Sequence, residues 1–300
     1  MRVFLTGATG FIGARIARDL LDAGHQVLGL TRSDAGARAL AEAGAEAHRG
    51  DLEDPDSLRS GAAQADAVIH TAFDHDFAHF AANCEKDRRV IEAIGGALAG
   101  SDRPLLITSG TGMGTPSPGQ RATEDVFDPH HGNPRVASEL AGAALSPAGV
   151  NVIVVRLPQV HDTVKQGLIT PAIDLARTKG ISAYVGDGLN QWSAAHVSDV
   201  ATLYRLALER GEPGARYHAV AEEGVATRAI AEAIGAGLDV PVVSLSPEAA
   251  AEHFGWLAIF AGVDMRASSA WTRERLGWEP TGPGLLADLA RMDYRAEPAA

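Results

Sequence analysis

The sequence predicts an α/β protein built on a doubly wound parallel sheet, with a smaller lobe towards its C-terminal end. Two observations predict this fold class. In the first half of the chain, short apolar runs alternate with segments of helical periodicity, as in repeated βαβ units. A glycine-rich stretch, TGATGFIG at residues 6–13, joins the first apolar run to the first helical segment. The sheet is therefore expected to be parallel and covered by helices on both faces.

The elements of the first half can be placed in order from their patterns. Strands are predicted at residues 3–6, 27–30, 47–49, 67–70, 104–108 and 152–156. Helices are predicted between them at 11–23, 35–43, 58–63, 84–98 and 136–145. The second half is less regular and predicts helices at 169–179 and 196–208, a strand at 216–220, and two or three further helices after residue 227. The tail at 297–300 is expected to be frayed.

The composition excludes several classes of protein. With 300 residues, of which 46% are hydrophobic and 21% charged, the chain can bury a sizeable core. The net charge of −12 argues against nucleic acid as a partner. Cys84 is the only cysteine, which excludes an internal disulfide and a thiolate metal cluster. No apolar run is long enough to span a membrane and no leader precedes the first strand, so a cytoplasmic location is expected.

The glycine-rich stretch lies where a dinucleotide-binding turn of the Rossmann type is expected. Gly7 permits a tight turn, Gly10 lets the backbone approach a pyrophosphate, and Gly13 lets the helix pack closely on the strand. The start of the helix offers amide donors and the positive end of its dipole to the phosphates. The predicted cofactor contacts in this turn are Gly7, Thr9, Gly10, Phe11, Ile12 and Gly13.

The ends of the next strands indicate which dinucleotide is bound. NAD-selective sites carry an acidic residue at the end of the second strand, but this sequence has Thr31 and Arg32 there. The planar, permanently charged guanidinium of Arg32 suits the 2′-phosphate of NADP(H), which is predicted in preference to NAD(H). Further cofactor contacts are expected after the third and fourth strands, from Asp51, Leu52, Thr71, Ala72 and Phe73.

Five motifs along the chain resemble those of the extended short-chain dehydrogenase/reductase family. They are TGATGFIG at 6–13, GDL at 50–52, RLP at 156–158, GDG at 186–188 and HVSD at 196–199. The resemblance implies an NAD(P)-dependent oxidoreductase, with Pro158 against the nicotinamide carboxamide, and it suggests a homodimer by analogy. It also implies a division of the chain: residues 1–158 with 192–222 form the NAD(P)-binding Rossmann domain, and 159–191 with 223–300 form a smaller C-terminal substrate-binding lobe.

The sequence departs from that family at the catalytic motif. The family's Tyr-x-x-x-Lys lies at the start of the helix after the fifth strand, where this chain has His131 and Arg135 at the same spacing. A histidine can donate a proton to a carbonyl oxygen, and an arginine can hydrogen-bond the nicotinamide ribose. The hypothesis is that His131 is the acid/base and Arg135 fixes the ribose, while Ser109 or Thr111 orients the substrate oxygen. The alternative is that His131 is only a loop residue before a helix that Pro134 helps to start.

Four further residues are candidate substrate contacts, namely Asp74, His75, His161 and Trp192. The aspartates and histidines of segment 73–80 have no matching metal-ligand spacing elsewhere in the sequence, so no metal is expected. An apolar cluster in the C-terminal part of the chain either forms core or lines an apolar pocket; its members are Phe254, Trp256, Leu257 and Phe260.

Together these features predict an NADPH-dependent reductase that acts on a small carbonyl or imine-like substrate, apolar if the aromatic cluster lines the pocket. Two other functions stay open. A non-catalytic NADP-binding sensor would account for the missing tyrosine and lysine. A nucleotide-sugar epimerase or dehydratase would fit the family resemblance, although the absence of an acid after the second strand argues against it. A small-molecule substrate is the expected partner, without nucleic acid or membrane.

Overall fold

The computed structural model describes residues 1–295, so the tail predicted to fray at 297–300 lies outside the described residues. The strands within that range are β1 (Arg2–Thr6), β2 (Gln26–Thr31), β3 (Glu46–Arg49), β4 (Ala67–His70), β5 (Pro104–Gly110), β6 (Asn151–Leu157), β7 (Gln159–His161), β8 (Ser182–Val185), β9 (Gln191–His196), β10 (Arg216–His218), β11 (Glu222–Ala226) and β12 (Val242–Leu245).

The α-helices of the same range lie between and after these strands. They are α1 (Phe11–Asp22), α2 (Asp34–Glu42), α3 (Pro55–Ala63), α4 (Phe80–Leu98), α5 (Val136–Leu145), α6 (Ile169–Lys179), α7 (Val197–Arg210), α8 (Thr227–Leu238), α9 (Pro247–Phe254), α10 (Ala258–Ala261), α11 (Ala270–Leu276) and α12 (Leu285–Arg291). Within residues 1–295, no helix combines the length and the apolar character needed to cross a membrane.

A seven-stranded sheet in the order β10-β6-β5-β4-β1-β2-β3 organises the first part of the chain. All six pairings in it are parallel. Because parallel neighbours need crossover helices, both faces of the sheet are covered, and the strands are apolar on both sides. One face packs against α1 and α7, and the other against α3, α4 and α5. The predicted doubly wound parallel sheet is confirmed.

The C-terminal lobe contains two small sheets. Strands β7, β9 and β11 form one, with β9 in the centre, and β8 pairs with β12 in the other. The apolar sides of α6, α8 and α12 pack together beneath the first of these sheets. Strand β9 falls in the segment that the sequence assigns to the Rossmann domain, yet its partners β7 and β11 come from the lobe. The two parts of the chain are therefore joined by a shared sheet.

Candidate functional site

The glycine-rich turn after β1 is built so that side chains are excluded from it. Gly7 has φ of +72°, and a Cβ there would lie 2.8 Å from Thr71 Oγ1 and 2.9 Å from the backbone nitrogen of Ala72. A Cβ on Gly13 would lie only 2.0 Å from the carbonyl oxygen of Gly7. Both positions thus require glycine, since α1 and the end of β4 approach the turn too closely for any side chain.

The start of α1 is open to an anion. Gly10 is the residue at its N-cap, no side chain of the described residues caps it, and its first turn carries no acidic residue. Its first amide groups are therefore left for a ligand, at the positive end of the helix dipole. The turn and Thr9, Phe11 and Ile12 together fit the pyrophosphate of a dinucleotide, as the sequence predicts.

The other predicted cofactor residues lie at the same carboxyl edge of the sheet. Arg32 follows β2 with 80% of its side chain exposed, and its Nη1 atom lies 3.7 Å from Asp51 Oδ2, beyond the end of β3. Thr71 donates a hydrogen bond of 2.8 Å to the carbonyl oxygen of Thr6, which ties the end of β4 to the end of β1. Further predicted contacts at this edge are Thr31, Leu52, Ala72, Phe73 and, after β6, Pro158.

The segment before α5 determines where the predicted His–Arg pair stands. Asn133 Oδ1 accepts the backbone N–H of Arg135 at 2.9 Å, and Pro134 begins the first turn, so the helix follows Arg135 directly. His131 lies in the turn before it rather than on the helix. Its Nδ1 accepts the N–H of Asn133 at 3.0 Å. An accepting Nδ1 carries no proton, so a neutral His131 ring holds its proton on Nε2 and can donate it.

Arg135 is the most firmly held side chain at this edge. Its Nη1 donates to Asp87 Oδ2 at 2.7 Å and to Ser138 Oγ at 2.6 Å, and its Nη2 donates to the carbonyl oxygen of Thr108 at 2.7 Å. The guanidinium also lies over the ring of Phe73, 4.2 Å from its centroid. These contacts use three of its five N–H groups, so Arg135 is a fixed positive charge with two donors left over.

Asp87 on α4 links Arg135 to the glycine turn. The carboxylate is buried and lies 2.9 Å from His70 Nε2, while His70 Nδ1 lies 2.6 Å from Thr6 Oγ1. Burial acts to raise the pKa of Asp87, but the charge of Arg135 and the hydrogen bond from His70 outweigh it and hold that pKa well below its usual range. Asp87 is therefore ionised in the folded protein at neutral pH.

One turn after Arg135, on the same side of α5, lies Glu139. Arg156 donates to both of its carboxylate oxygens, at 2.8 and 2.9 Å, and Arg216 Nε donates at 2.9 Å. Burial acts to raise the pKa of Glu139, but the hydrogen bond and charge of Arg156 lower it overall. Ser109 and Thr111, the predicted substrate-orienting residues, are buried at the end of β5 close to this cluster.

Comparison with known proteins decides the family. The profile of the NAD dependent epimerase/dehydratase family matches residues 3–220, more than half of the chain. The chain belongs to this family. An uncharacterized protein of Schizosaccharomyces pombe is 48% identical over 295 residues, which cover 98% of this chain and 100% of that one. The 2-alkyl-3-oxoalkanoate reductase of Stenotrophomonas maltophilia is 30% identical over 234 residues, or 72% of this chain and 67% of that one.

A solved structure shares the fold of this epimerase/dehydratase family member. UDP-glucose 4-epimerase from Thermus thermophilus, in complex with NAD, has a TM-score of 0.75 and 22% identity, covering 98% of this chain and 99% of that one. The family confirms the predicted NAD(P)-binding Rossmann fold and an NAD(P)-dependent oxidoreductase of the extended short-chain dehydrogenase/reductase type.

Within this family fold, the four predicted substrate contacts separate into two pairs. Asp74 and His75 lie on the loop after β4, where Asp74 pairs with Lys86 at 2.9 Å. Partial desolvation of the imidazole and the nearby charge of Arg135 lower the pKa of His75, which favours its neutral form.

The other pair of predicted substrate contacts lies buried inside the C-terminal lobe. His161 is fully buried, with Nδ1 2.7 Å from Asp288 Oδ2. Trp192 is 4% exposed and donates its indole N–H to the carbonyl oxygen of Val263. His161 is the last residue of β7 and Trp192 the second residue of β9, so both lie within the small sheet of the lobe.

Three residues that hold the site together are missing from the sequence-based prediction: His70, Asp87 and Glu139. His70 could have been found, since it is the last residue of a predicted strand and points to the same edge. Glu139 could have been found by taking Pro134 as the first helical residue, because Arg135 and Glu139 then share a face. Asp87 gives no local signal, since its partner Arg135 is 48 residues away.

Proposed function

We propose that this protein is an NADP(H)-dependent reductase of small carbonyl or imine-like substrates. One observation carries the proposal. The guanidinium of Arg135 is fixed by Asp87, Ser138 and Thr108 at the edge of the sheet where the glycine turn also opens. Two of its N–H donors are left over, which would allow Arg135 to hold the nicotinamide ribose and also to face the oxygen of a substrate. A preorganised positive charge of this kind stabilises negative charge that develops on a carbonyl oxygen.

The chemistry assigns a task to each group. Bound NADPH supplies a hydride to the carbonyl carbon. The electron pair of the C=O bond moves onto oxygen, where Arg135 stabilises the charge and Ser109 or Thr111 orients the atom. His131 then donates its Nε2 proton to that oxygen and recovers one from water. The balance is one carbonyl, one NADPH and one proton giving one alcohol and one NADP⁺.

The choice of NADP(H) over NAD(H) rests on Arg32. Its side chain is extended into solvent at the end of β2, and Asp51, its nearest acidic partner, is 3.7 Å away. An exposed ion pair at that distance contributes little and is readily exchanged for a phosphate.

The cofactor proposal is tested by calorimetric titration of NADPH and NADH into the wild-type protein and the Arg32→Ala variant. Loss of the 2′-phosphate contact in Arg32→Ala is expected to lower the affinity for NADPH at least tenfold and to leave the affinity for NADH unchanged. Arg59→Ala is the matched control, since Arg59 is an exposed arginine on α3 that pairs with Asp56. Equal affinity of the wild-type protein for NADPH and NADH would contradict the choice of NADP(H).

The reductase proposal is tested by following NADPH oxidation with a panel of aldehydes, ketones and imines. His131→Ala is expected to lower kcat at least a hundredfold, as loss of a general acid does, while its exposed neighbour serves as control in His130→Ala. Oxidation that survives in the His131→Ala variant would remove that residue from the mechanism. Arg135→Met is expected to abolish turnover.

A non-catalytic NADP(H)-binding sensor is the second candidate, and one observation favours it. The helix position one turn after Arg135 carries an acidic residue, Glu139, already committed to two arginines. Arg135, which stands in register with the family's lysine, cannot readily release a proton, so a proton relay through the ribose is not preserved. Tight NADPH binding without oxidation by any member of the panel is the outcome that this candidate predicts.

A further inference from the structure

Five aromatic side chains form a continuous surface across the two parts of the chain. Phe73 and Phe80 have ring centroids 6.2 Å apart, and Phe80 and Phe77 are 5.5 Å apart. Phe77 stacks on Trp256 at 4.4 Å with an interplanar angle of 5°, and lies edge-on to Phe260 at 6.5 Å. We name this surface, made of Phe73, Phe77, Phe80, Trp256 and Phe260, the aromatic wall.

The aromatic wall begins at the proposed reaction centre. Phe73 follows Thr71 and Ala72, the residues that border the glycine turn, and its ring lies under the guanidinium of Arg135 at 4.2 Å. From there the rings lead outwards along the loop after β4 to Phe77, in a short 3₁₀ helix that Asp76 caps. A molecule whose carbonyl oxygen met Arg135 would therefore have its remaining atoms against the wall.

Packing in the lobe does not account for Trp256. Its neighbours Phe254 and Leu257 are buried in the lobe, at 8% and 2% exposure, and form a small core there. Trp256 is 41% exposed and turns the opposite way, towards Phe77 of the Rossmann part. Trp256 leaves apolar ring surface exposed to water and belongs to the apolar core of neither part of the chain. Binding of a ligand therefore explains its position better than packing does.

The charges along the aromatic wall disfavour one class of substrate. Segments 73–80 and 254–260 contain no lysine or arginine, while Asp74 and Asp76 lie in the first of them. Two cations reach the wall from other elements, and both are already paired with carboxylates, Arg135 with Asp87 and Lys86 with Asp74 and Glu53. A nucleoside diphosphate needs cationic or amide donors along its phosphates and would meet carboxylates here. Flat rings, by contrast, gain offset-stacked and edge-to-face contacts with a wall of phenyl and indole groups.

We propose that the substrate is an aryl carbonyl compound whose ring binds against the aromatic wall, with Phe77 and Trp256 as the residues that select for it. The proposal rests on the reductase function above and narrows its substrate class. In the structure Phe77 and Trp256 stack on each other, and the substrate ring replaces part of that contact with an equivalent one. The wall therefore distinguishes an aromatic ring from a saturated ring of the same size.

The test compares benzaldehyde with cyclohexanecarbaldehyde, each with NADPH. The wild-type protein is expected to have a kcat/KM about tenfold higher for benzaldehyde, as one or two aromatic contacts supply. Phe77→Leu and Trp256→Leu keep an apolar side chain but remove the ring, and are expected to bring the ratio of the two kcat/KM values close to one. Trp271→Leu is the matched control, because Trp271 stacks on Tyr217 elsewhere and should retain the ratio.

A binding measurement separates the wall from the catalytic proposal. Benzyl alcohol is titrated into the protein with NADP⁺ present, and tryptophan fluorescence is followed without turnover. Saturable quenching that persists in Trp271→Leu, disappears in Trp256→Leu and weakens about tenfold in Phe77→Leu supports the wall even if no aldehyde is reduced. Reduction of both aldehydes with equal kcat/KM would contradict the proposed role of the aromatic wall but not the proposed reductase activity. A protein that shows neither quenching nor an aryl preference overturns the wall as well.

Discussion

Replacing Asp87 by asparagine is the sharpest perturbation of the site, because it keeps the shape of the side chain and removes only its charge. The wild-type carboxylate accepts hydrogen bonds from His70, Arg135 and Ser138. In Asp87→Asn one carboxylate oxygen is replaced by an NH₂ group, which cannot accept a hydrogen bond. That group must then face at least one of the donors from His70, Arg135 and Ser138. Arg135 meanwhile keeps its charge and loses its only ion-pair partner among the described residues.

The magnitude follows from burial. The side chains of Asp87 and Arg135 are 3% and 13% exposed, so solvent screens the remaining guanidinium poorly. Removing one partner of a buried ion pair costs about 3–5 kcal/mol, and the partial exposure of Arg135 favours the lower end, about 3 kcal/mol. Ser138→Ala, which removes one neutral donor from the same carboxylate, is expected to cost about 1 kcal/mol.

Urea unfolding followed by circular dichroism at pH 7 measures these differences. The double variant Asp87→Asn with Arg135→Met removes both charges and is expected to unfold with a free energy at least about 1 kcal/mol higher than Asp87→Asn alone. A loss below about 1 kcal/mol in Asp87→Asn, or a double variant less stable than the single one, would refute the reasoning.

The same pair sets a dependence on pH. Because the folded protein holds the pKa of Asp87 below the ordinary carboxyl value of about 3.9, the unfolded chain binds more protons as the pH falls. The stabilisation from Asp87 is therefore complete above that ordinary value and is lost as the pH falls towards the folded pKa. Stability measured from pH 5 downwards should fall more steeply for the wild type than for Asp87→Asn.

Three further predictions concern other parts of the molecule. Gly13→Ala would place a Cβ 2.0 Å from the Gly7 carbonyl oxygen and should abolish NADPH binding in a calorimetric titration. The control is Gly96→Ala, on the open side of α4, which should bind NADPH normally and gain about 0.5–1 kcal/mol of stability. Burial and the charge of Arg156 lower the pKa of His218 to about 3, so the free energy of unfolding should fall as the pH drops from about 6.5 towards 3. In urea titrations His218→Gln should flatten this dependence of stability on pH, and an unchanged dependence would contradict the prediction. Burial raises the pKa of the Cys84 thiol to about 11, so a thiol reagent at pH 8 should modify the native protein only on the timescale of its unfolding, and rapid labelling would show the thiol to be open.

The regular part of the fold was predictable because its signals are local. The strand at Ala67–His70 and the helices at Val136–Leu145 and Ile169–Lys179 lie where apolar periodicity places them. Other predicted elements of the first half differ at their ends by four residues or fewer, as expected where caps rather than periodicity set the boundary. The glycine turn was predictable for the same reason, since close packing of a helix on a strand leaves glycine as the residue that fits.

The rest of the molecule depends on contacts between distant segments. Strands β7, β9 and β11 are three to six residues long, and β9 joins residues 159–161 to 222–226 in one sheet. No local sequence pattern predicts this pairing. The same applies to Phe77 with Trp256 in the aromatic wall. The turn before α5 was also difficult to predict, because four-residue spacing means a shared face only inside a helix, and His131 lies outside it.

The carboxylate of Glu139 has a consequence for the evolution of this chain. A lysine in place of Glu139, one turn after Arg135, would leave its ammonium group facing Arg156 and Arg216, and the Arg156 side chain is fully enclosed. Such a protein is expected to be less stable, so a basic residue fits at position 139 only if these arginines are also replaced. The pair of arginines around Glu139 therefore limits which residues this position of α5 can carry.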